Sequence, residues 1–300
     1  MQKRNKIILI KYLTMYVQYA IIFIRKEIQE KRGISVMANK IAFMNGKGGC
    51  GKTTSIFHIA GVLSKEGDKV LVIDFDKQRN TTDTFLMNTE KPVKTVYNLM
   101  EGKASASEVT AKCLFQTRGN AKPKYYGVDC MTSDLKLENE SVIRKIDGNK
   151  LKDELNTFIV EQDYKWVLVD MPPSNMALND ICFSYLVDYV IVPFSSDVFS
   201  VRGYGDVMKT IERARTLNPS LNILGVFLAR FMYNCAVDTY IREQIKNYDT
   251  FIDVQIPLTA DIRESIMFGR PISYYKEFSK SRKAYENLVK EIIRRIDSFS

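Results

Sequence analysis

NGKGGCGKTT, Asn45–Thr54, sets four glycines and two lysines within ten residues. It follows the apolar run KIAFM (Lys40–Met44) and precedes a helix-like stretch, Thr53 to Lys65, closed by Gly67. Glycine adopts φ > 0 without steric cost, so backbone N–H groups can close around an anion. A helix starting near Lys52 adds unpaired N–H donors and the positive end of its dipole. Gly46, Lys47, Gly48, Gly49, Cys50, Gly51, Lys52, Thr53 and Thr54 therefore read as a phosphate-binding loop for ATP. Lys52 is placed to reach the β- and γ-phosphates, and the Thr53 hydroxyl to meet Mg²⁺. An ordinary loop of this kind needs one lysine, so Lys47 requires a separate explanation.

Outward from the loop, short β-branched apolar runs alternate with helical patterns. Lys69–Asp74, Trp166–Asp170, Tyr189–Pro193 and Leu221–Phe227 read as parallel strands covered on both faces, and Val128–Met131 as a shorter one. Leu151–Glu161 is a helix candidate. Tyr285, Leu288, Val289, Ile292, Ile293, Ile296 and Phe299 recur at three- and four-residue steps, which predicts a packed amphipathic helix at the end. Residues 104–124 carry no clear period and read as a loop or irregular insertion. The pattern predicts one doubly wound, mostly parallel α/β sheet of the P-loop NTPase type over residues 37–300.

Such a sheet gathers side chains at the carboxyl ends of its strands. VLVIDFDKQRN (residues 70–80) ends a strand at Asp74 and places Asp76 two residues on; WVLVDMPPS (residues 166–174) ends one at Asp170. Mg²⁺ takes hard oxygen ligands and keeps several waters. Thr53, Asp74 and Asp170 are therefore the metal-site candidates, with Asp170 suited to act through water. Asp76 is the candidate for orienting an attacking water.

Composition narrows the remaining classes. The formal charge is +9, but residues 1–36 hold eight Lys/Arg against two Asp/Glu, leaving 36 against 33 in the body. Any nucleic-acid contact by the body must rest on local patches. Cys50, Cys113, Cys130, Cys182 and Cys235 form no CxxC pair, which suits reduced thiols in the cytoplasm and no structural metal site. The run Ile7–Ile24 is interrupted by Lys11, Thr14 and Gln18 and sits at the short limit of a membrane span. No small-residue cleavage site follows it. A dispensable extension upstream of Met37, a packed helix and a membrane contact all remain open for this leader. His58, the sole histidine, reads as a surface or packing residue rather than a phosphate ligand, and Trp166 as a strand packing residue.

The loop resembles the deviant Walker A motif of the ParA/MinD family, P-loop ATPases that partition plasmids and chromosomes or position division machinery. DFDKQRN is similar to that family's second motif, WVLVDMPPS to its Walker B strand and VIVPFSSDVFSVRG (residues 190–203) to the strand and helix that follow. QIPLTADIRESIMFGRPISYY (residues 255–275) resembles a distal segment of the ParA/Soj branch, in which Pro257 is a nucleotide-site candidate. The resemblance implies that Lys47 crosses an ATP-dependent homodimer interface to the partner's nucleotide, and that Asp76 orients the hydrolytic water. It implies catalytic roles for Lys47, Lys52 and Asp76 with slow intrinsic turnover. Lys77 and Arg79 stand where the family commonly has Pro and Gly, and Leu258 where it often has a basic residue.

The resemblance further implies nonspecific DNA binding by the ATP dimer, a separate centromere-binding adaptor and a cytoplasmic, nucleoid-associated protein. Phosphate contacts need clustered Lys/Arg. Arg263, Arg270, Lys280, Lys283 and Arg294 are the candidates, within a C-terminal stretch that also holds Lys276, Arg282, Lys290 and Arg295. A MinD-like, membrane-associated positioning ATPase, or a nucleotide-dependent tether, is the alternative, and only the leader offers it a membrane contact. The cysteine contexts do not suit an iron–sulfur reductase of related fold, and the tyrosine-rich tail of a related bacterial kinase is missing.

Overall fold

The short, β-branched runs of the sequence become the strands of one sheet, laid between two layers of helices. The computed structural model describes residues 38–116, 121–173, 175–195 and 198–299. The readings made for residues 1–36 lie outside the described residues. In chain order the elements begin with β1 (Asn39–Phe43), α1 (Lys52–Lys65), β2 (Val70–Asp74), α2 (Asn80–Phe85) and α3 (Val96–Met100). There follow β3 (Thr110–Phe115), β4 (Lys124–Met131), α4 (Glu140–Ile143), α5 (Gly148–Glu161), β5 (Trp166–Asp170) and α6 (Met176–Ile181). The chain then runs through β6 (Tyr189–Phe194), α7 (Val198–Ala214), β7 (Asn222–Phe231), α8 (Ala236–Ile245) and β8 (Phe251–Pro257). It closes with α9 (Ala260–Met267), α10 (Ile272–Tyr275) and α11 (Lys280–Phe299).

The strand order is β3-β4-β2-β5-β1-β6-β7-β8. Every pairing is parallel except β3 with β4, which is antiparallel. The central strands β2 and β5 are buried at every residue, as their continuous apolar runs require. One face of the sheet packs Leu151, Leu155, Phe158 and Ile159 of α5, with Val207 and Ile211 of α7. The other packs Ile56, Phe57, Ile59 and Leu63 of α1 against Leu288, Val289, Ile292 and Ile296 of α11. The final amphipathic helix thus lies on the sheet as its periodicity predicts, with Phe299 left half-exposed.

Two sequence expectations need correction. Residues 104–124 are not structureless: Thr110–Phe115 forms the antiparallel edge strand β3. Its irregular reading has a physical cause, a register shift between Lys112 and Leu114 that breaks the alternation. The strand read as ending at Phe227 continues to Phe231, carrying Arg230 at its end. The packing reading of His58 agrees with its fully buried ring. Its Nδ1 accepts the Ile272 N–H at 3.1 Å, and burial lowers its pKa to about 3, so it stays neutral. No helix among the described residues is long and apolar enough to cross a membrane.

Candidate functional site

β1 sits between β5 and β6, where the chain has turned from one half of the sheet to the other. Open α/β sheets bind ligands outside the carboxyl ends of the strands at such a reversal. The loop of residues 45–51 leaves β1 there. Asn45, fully buried, anchors its base: Nδ2 donates to the Pro193 carbonyl at 2.8 Å, and Oδ1 accepts the Lys47 N–H at 3.0 Å. Gly49 and Gly51 take φ of 76° and 95°, conformations that side-chain-bearing residues resist. Among the described residues no side chain caps α1, so its first turn presents N–H donors and a positive dipole end to whatever the loop encloses.

Lys52 is buried with its ammonium 3.5 Å from the carbonyls of Asn45 and Lys47, at the long limit of hydrogen bonding. A cation so loosely held along the loop is ready for a better acceptor. Lys47 is half-buried in the same loop. The Cys50 thiol is pushed up by burial, which outweighs the nearby Lys52 cation, so it remains a protonated packing group.

The carboxylates converge because their strands are neighbours. Asp74 and Asp170 are paired in register across β2 and β5, and Phe43, the last residue of β1, lies opposite Asp170. Asp170 Oδ2 accepts the Thr53 hydroxyl at 2.6 Å and the Thr81 hydroxyl at 2.5 Å. Its Oδ1 is buried without a hydrogen-bond partner among the described residues. Asp74 is spent differently. Its Oδ2 accepts both the backbone N–H and the hydroxyl of Thr82 at 2.7 Å, and its Oδ1 accepts the Asp76 N–H at 3.0 Å. Burial raises both pKa values; the charge of Asp170 raises Asp74 further, while the hydroxyls of Thr53 and Thr81 partly restrain Asp170.

Two buried acids side by side, one with an orphaned oxygen, fit a divalent cation. The donor set is oxygen throughout, and among the described residues no group of three His, Cys, Asp or Glu forms a closed cage. The oxygen donors of Thr53 and Asp170 suit a Mg²⁺ held mainly by phosphates, water and a hydroxyl, as hard-cation chemistry favours. Asp76, half-buried, caps its own turn by accepting the Gln78 N–H at 2.9 Å, and its carbonyl accepts the Ser133 hydroxyl.

The remaining candidates are scattered. Pro257 ends β8, three strands from β1 and at the same end of the sheet. Arg263, Lys280 and Lys283 are exposed. Arg270 is half-buried and donates to Gln116. Arg294 forks onto Glu291 and lies fourteen residues along α11 from Lys280, about 21 Å at the helical rise. The five do not form one cluster within a single chain.

Sequence reasoning missed Asn45, Thr81, Thr82 and also Arg230, whose guanidinium donates to the Gly49 carbonyl of the loop. The threonines were signalled only by two hydroxyls following DFDKQRN, and Arg230 only by a charge interrupting the run of β7.

A family model described as an AAA domain, AAA_31, matches residues 38–223. The chain is 28% identical over 265 residues to the chromosome partitioning protein ParA of Caulobacter vibrioides, covering 85% of this chain and 94% of that one. It is 28% identical over 264 residues to the chromosome-partitioning ATPase Soj of Treponema pallidum, covering 86% and 98%. Among solved structures, a plasmid partition protein of Borrelia burgdorferi bound to AMPPNP superposes with a TM-score of 0.68 at 25% identity, covering 86% of this chain and 99% of that one.

Proposed function

The chain belongs to the AAA-domain family AAA_31, within the ParA/Soj partition ATPases, and from that membership we propose that it is an ATP-switched DNA-partition protein. In this reading Mg-ATP binding drives homodimerisation, the dimer binds DNA without sequence preference, and hydrolysis releases it. A separate centromere-binding adaptor stimulates the slow intrinsic turnover, in a cytoplasmic protein that associates with the nucleoid.

One observation carries the reading: the two-lysine loop faces an Asp170 that holds the Thr53 hydroxyl and keeps one buried oxygen unpartnered among the described residues. The loop N–H groups and Lys52 bind and orient the phosphates. Mg²⁺, when bound, neutralises charge on the β- and γ-phosphates. Thr53 would hold it directly and Asp170 through water, while the engaged oxygens of Asp74 give that residue a supporting place. Asp74 fixes the turn that carries Asp76 through the Asp76 N–H, so the water-orienting carboxylate is positioned from beneath. Lys47 reaches the partner's phosphate only on dimerisation, which makes the contact a switch. The exposed Arg263, Lys280 and Lys283 supply phosphate contacts to DNA, and two subunits together make the patch.

Binding of the full chain to random-sequence DNA with Mg-ATP, with Mg-ADP and without nucleotide, at one fixed salt, tests this. Tight binding confined to Mg-ATP is the expected result. Equal binding in all three states would overturn the switch, and no binding in any state would overturn the DNA output.

A further inference from the structure

β7 reaches the phosphate loop through a residue that the loop's own sequence does not announce. Arg230 Nη1 donates to the Gly49 carbonyl at 2.6 Å, joining chain positions 181 residues apart. Among the described residues no other hydrogen bond or ion pair holds this exposed guanidinium. Its backbone is left-handed, φ 59°, one of three described non-glycine residues with positive φ. The conformation coincides with a register shift between Leu228 and Phe231 in the pairing of β7 with β8. Bulges of this kind re-aim a side chain and recur beside functional sites, where strained backbone is retained. The strand end also lies beneath the loop: a Cβ on Gly51 would stand 3.3 Å from Ala229 Cβ and 3.9 Å from Arg230 Cγ.

We infer that Arg230 is a positioning residue of the nucleotide site, bracing the phosphate loop from outside by fixing the Gly49–Cys50 peptide. A peptide unit is planar, so holding its carbonyl also sets the direction of the Cys50 N–H. Gly48 and Gly49 give this segment freedom that would otherwise be lost on binding phosphate. A charge-assisted bond at this length restricts that freedom beforehand. The guanidinium carries five donors and a permanent charge, so it also adds positive potential at the rim where the phosphates enter. The strained backbone persists because the side chain is needed at the loop. This inference rests on the nucleotide reading above.

The test compares the full chain with its Arg230→Ala, Arg230→Lys and Arg230→Gly variants, measuring Kd for a fluorescent ATP analogue with Mg²⁺ and the nucleotide-free Tm. Arg230→Ala should weaken ATP binding about tenfold, the worth of one charge-assisted hydrogen bond, and Arg230→Lys should recover part of the loss. Arg230→Gly removes the side chain and the left-handed strain together. It should lose affinity like the alanine variant while its nucleotide-free Tm stays level or rises. Affinities within twofold of the parent in all three variants would overturn the role. So would affinity losses that merely track falling Tm. A parent chain that does not bind Mg-ATP would overturn the nucleotide reading itself, and this inference with it.

Discussion

At Asp74 and Asp170 the site stores a conflict. Both carboxyls are buried at neighbouring strand ends, 0% and 1% exposed, and their pKa values are raised above the ordinary 3.8 by burial and, at Asp74, by the neighbouring charge. A raised carboxyl pKa means that the folded state binds a proton more tightly than the unfolded state. Its stabilising contribution is then greatest below the unfolded pKa and is lost as pH rises towards the folded value. Asp74→Asn removes one titrating member, at a fixed cost from the donor–donor conflict it creates with Thr82 or Asp76. The difference in unfolding free energy, variant minus parent, should therefore rise with pH above about 4, by at most roughly 1.4 kcal/mol per pH unit, and the difference in nucleotide-free Tm should rise with it. Thermal melts of both proteins at several pH values check this; a flat difference would show that the pair imposes no such cost. At this scale the strand-end aspartates were legible because VLVIDFD and WVLVD announce themselves locally. Thr81 was not, because its bond to Asp170 spans 89 residues of sequence and exists only once β2 and β5 are neighbours.

The elements show why some of the architecture could be read and some could not. Central strands are buried on both sides and become unbroken apolar runs, so β1, β2, β5 and β6 stood out. Edge strands carry weaker signals: β8 has Asp253 exposed, and β3 alternates imperfectly around its register shift. The joint between α1 and the C-terminal segment was also invisible, since it depends on one absent methyl group. A Cβ on Gly61 would lie 2.1 Å from Pro271 Cβ and 2.8 Å from its Cγ, and a proline ring has little freedom to retreat. Around this contact the His58 Nδ1 accepts the Ile272 N–H, and Lys65 donates to the Ser273 carbonyl at 2.8 Å. Gly61→Ala gains helix propensity of up to about 1 kcal/mol, against an overpacking cost of about 1–3 kcal/mol. Because the contact is so short and rigid the second effect wins, and a net loss of about 2 kcal/mol should appear as a lower Tm. A variant as stable as the parent would mean that the Pro271 segment slides freely on α1.

For the whole molecule, the decisive quantity is what a second chain adds. The body from residue 37 onward carries 36 Lys/Arg against 33 Asp/Glu, too little net charge to hold DNA by its overall field alone. Its exposed candidates are divided between α9 and the two ends of α11, with Arg294 already engaged by Glu291. Two copies double the number of phosphate contacts, and the salt sensitivity of binding grows with each contact. In the proposed scheme a nucleotide-dependent dimer would therefore turn a weak binder into a useful one. Lys47 is the residue that separates this scheme from simple nucleotide binding. Lys52 sits along the loop of its own chain, whereas Lys47 is proposed to act on the partner's phosphate. Lys47→Ala should then leave Mg-ATP binding by the monomer within about threefold, while losing the ATP-dependent shift to dimer mass in sedimentation. DNA affinity in Mg-ATP should fall with it, by on the order of tenfold or more at moderate salt. Lys52→Ala should instead lose ATP binding first, and the dimer only as a consequence. If Lys47→Ala dimerises normally in Mg-ATP, the first lysine belongs to the phosphate site of its own chain, and the coupling between dimer and DNA must be carried elsewhere.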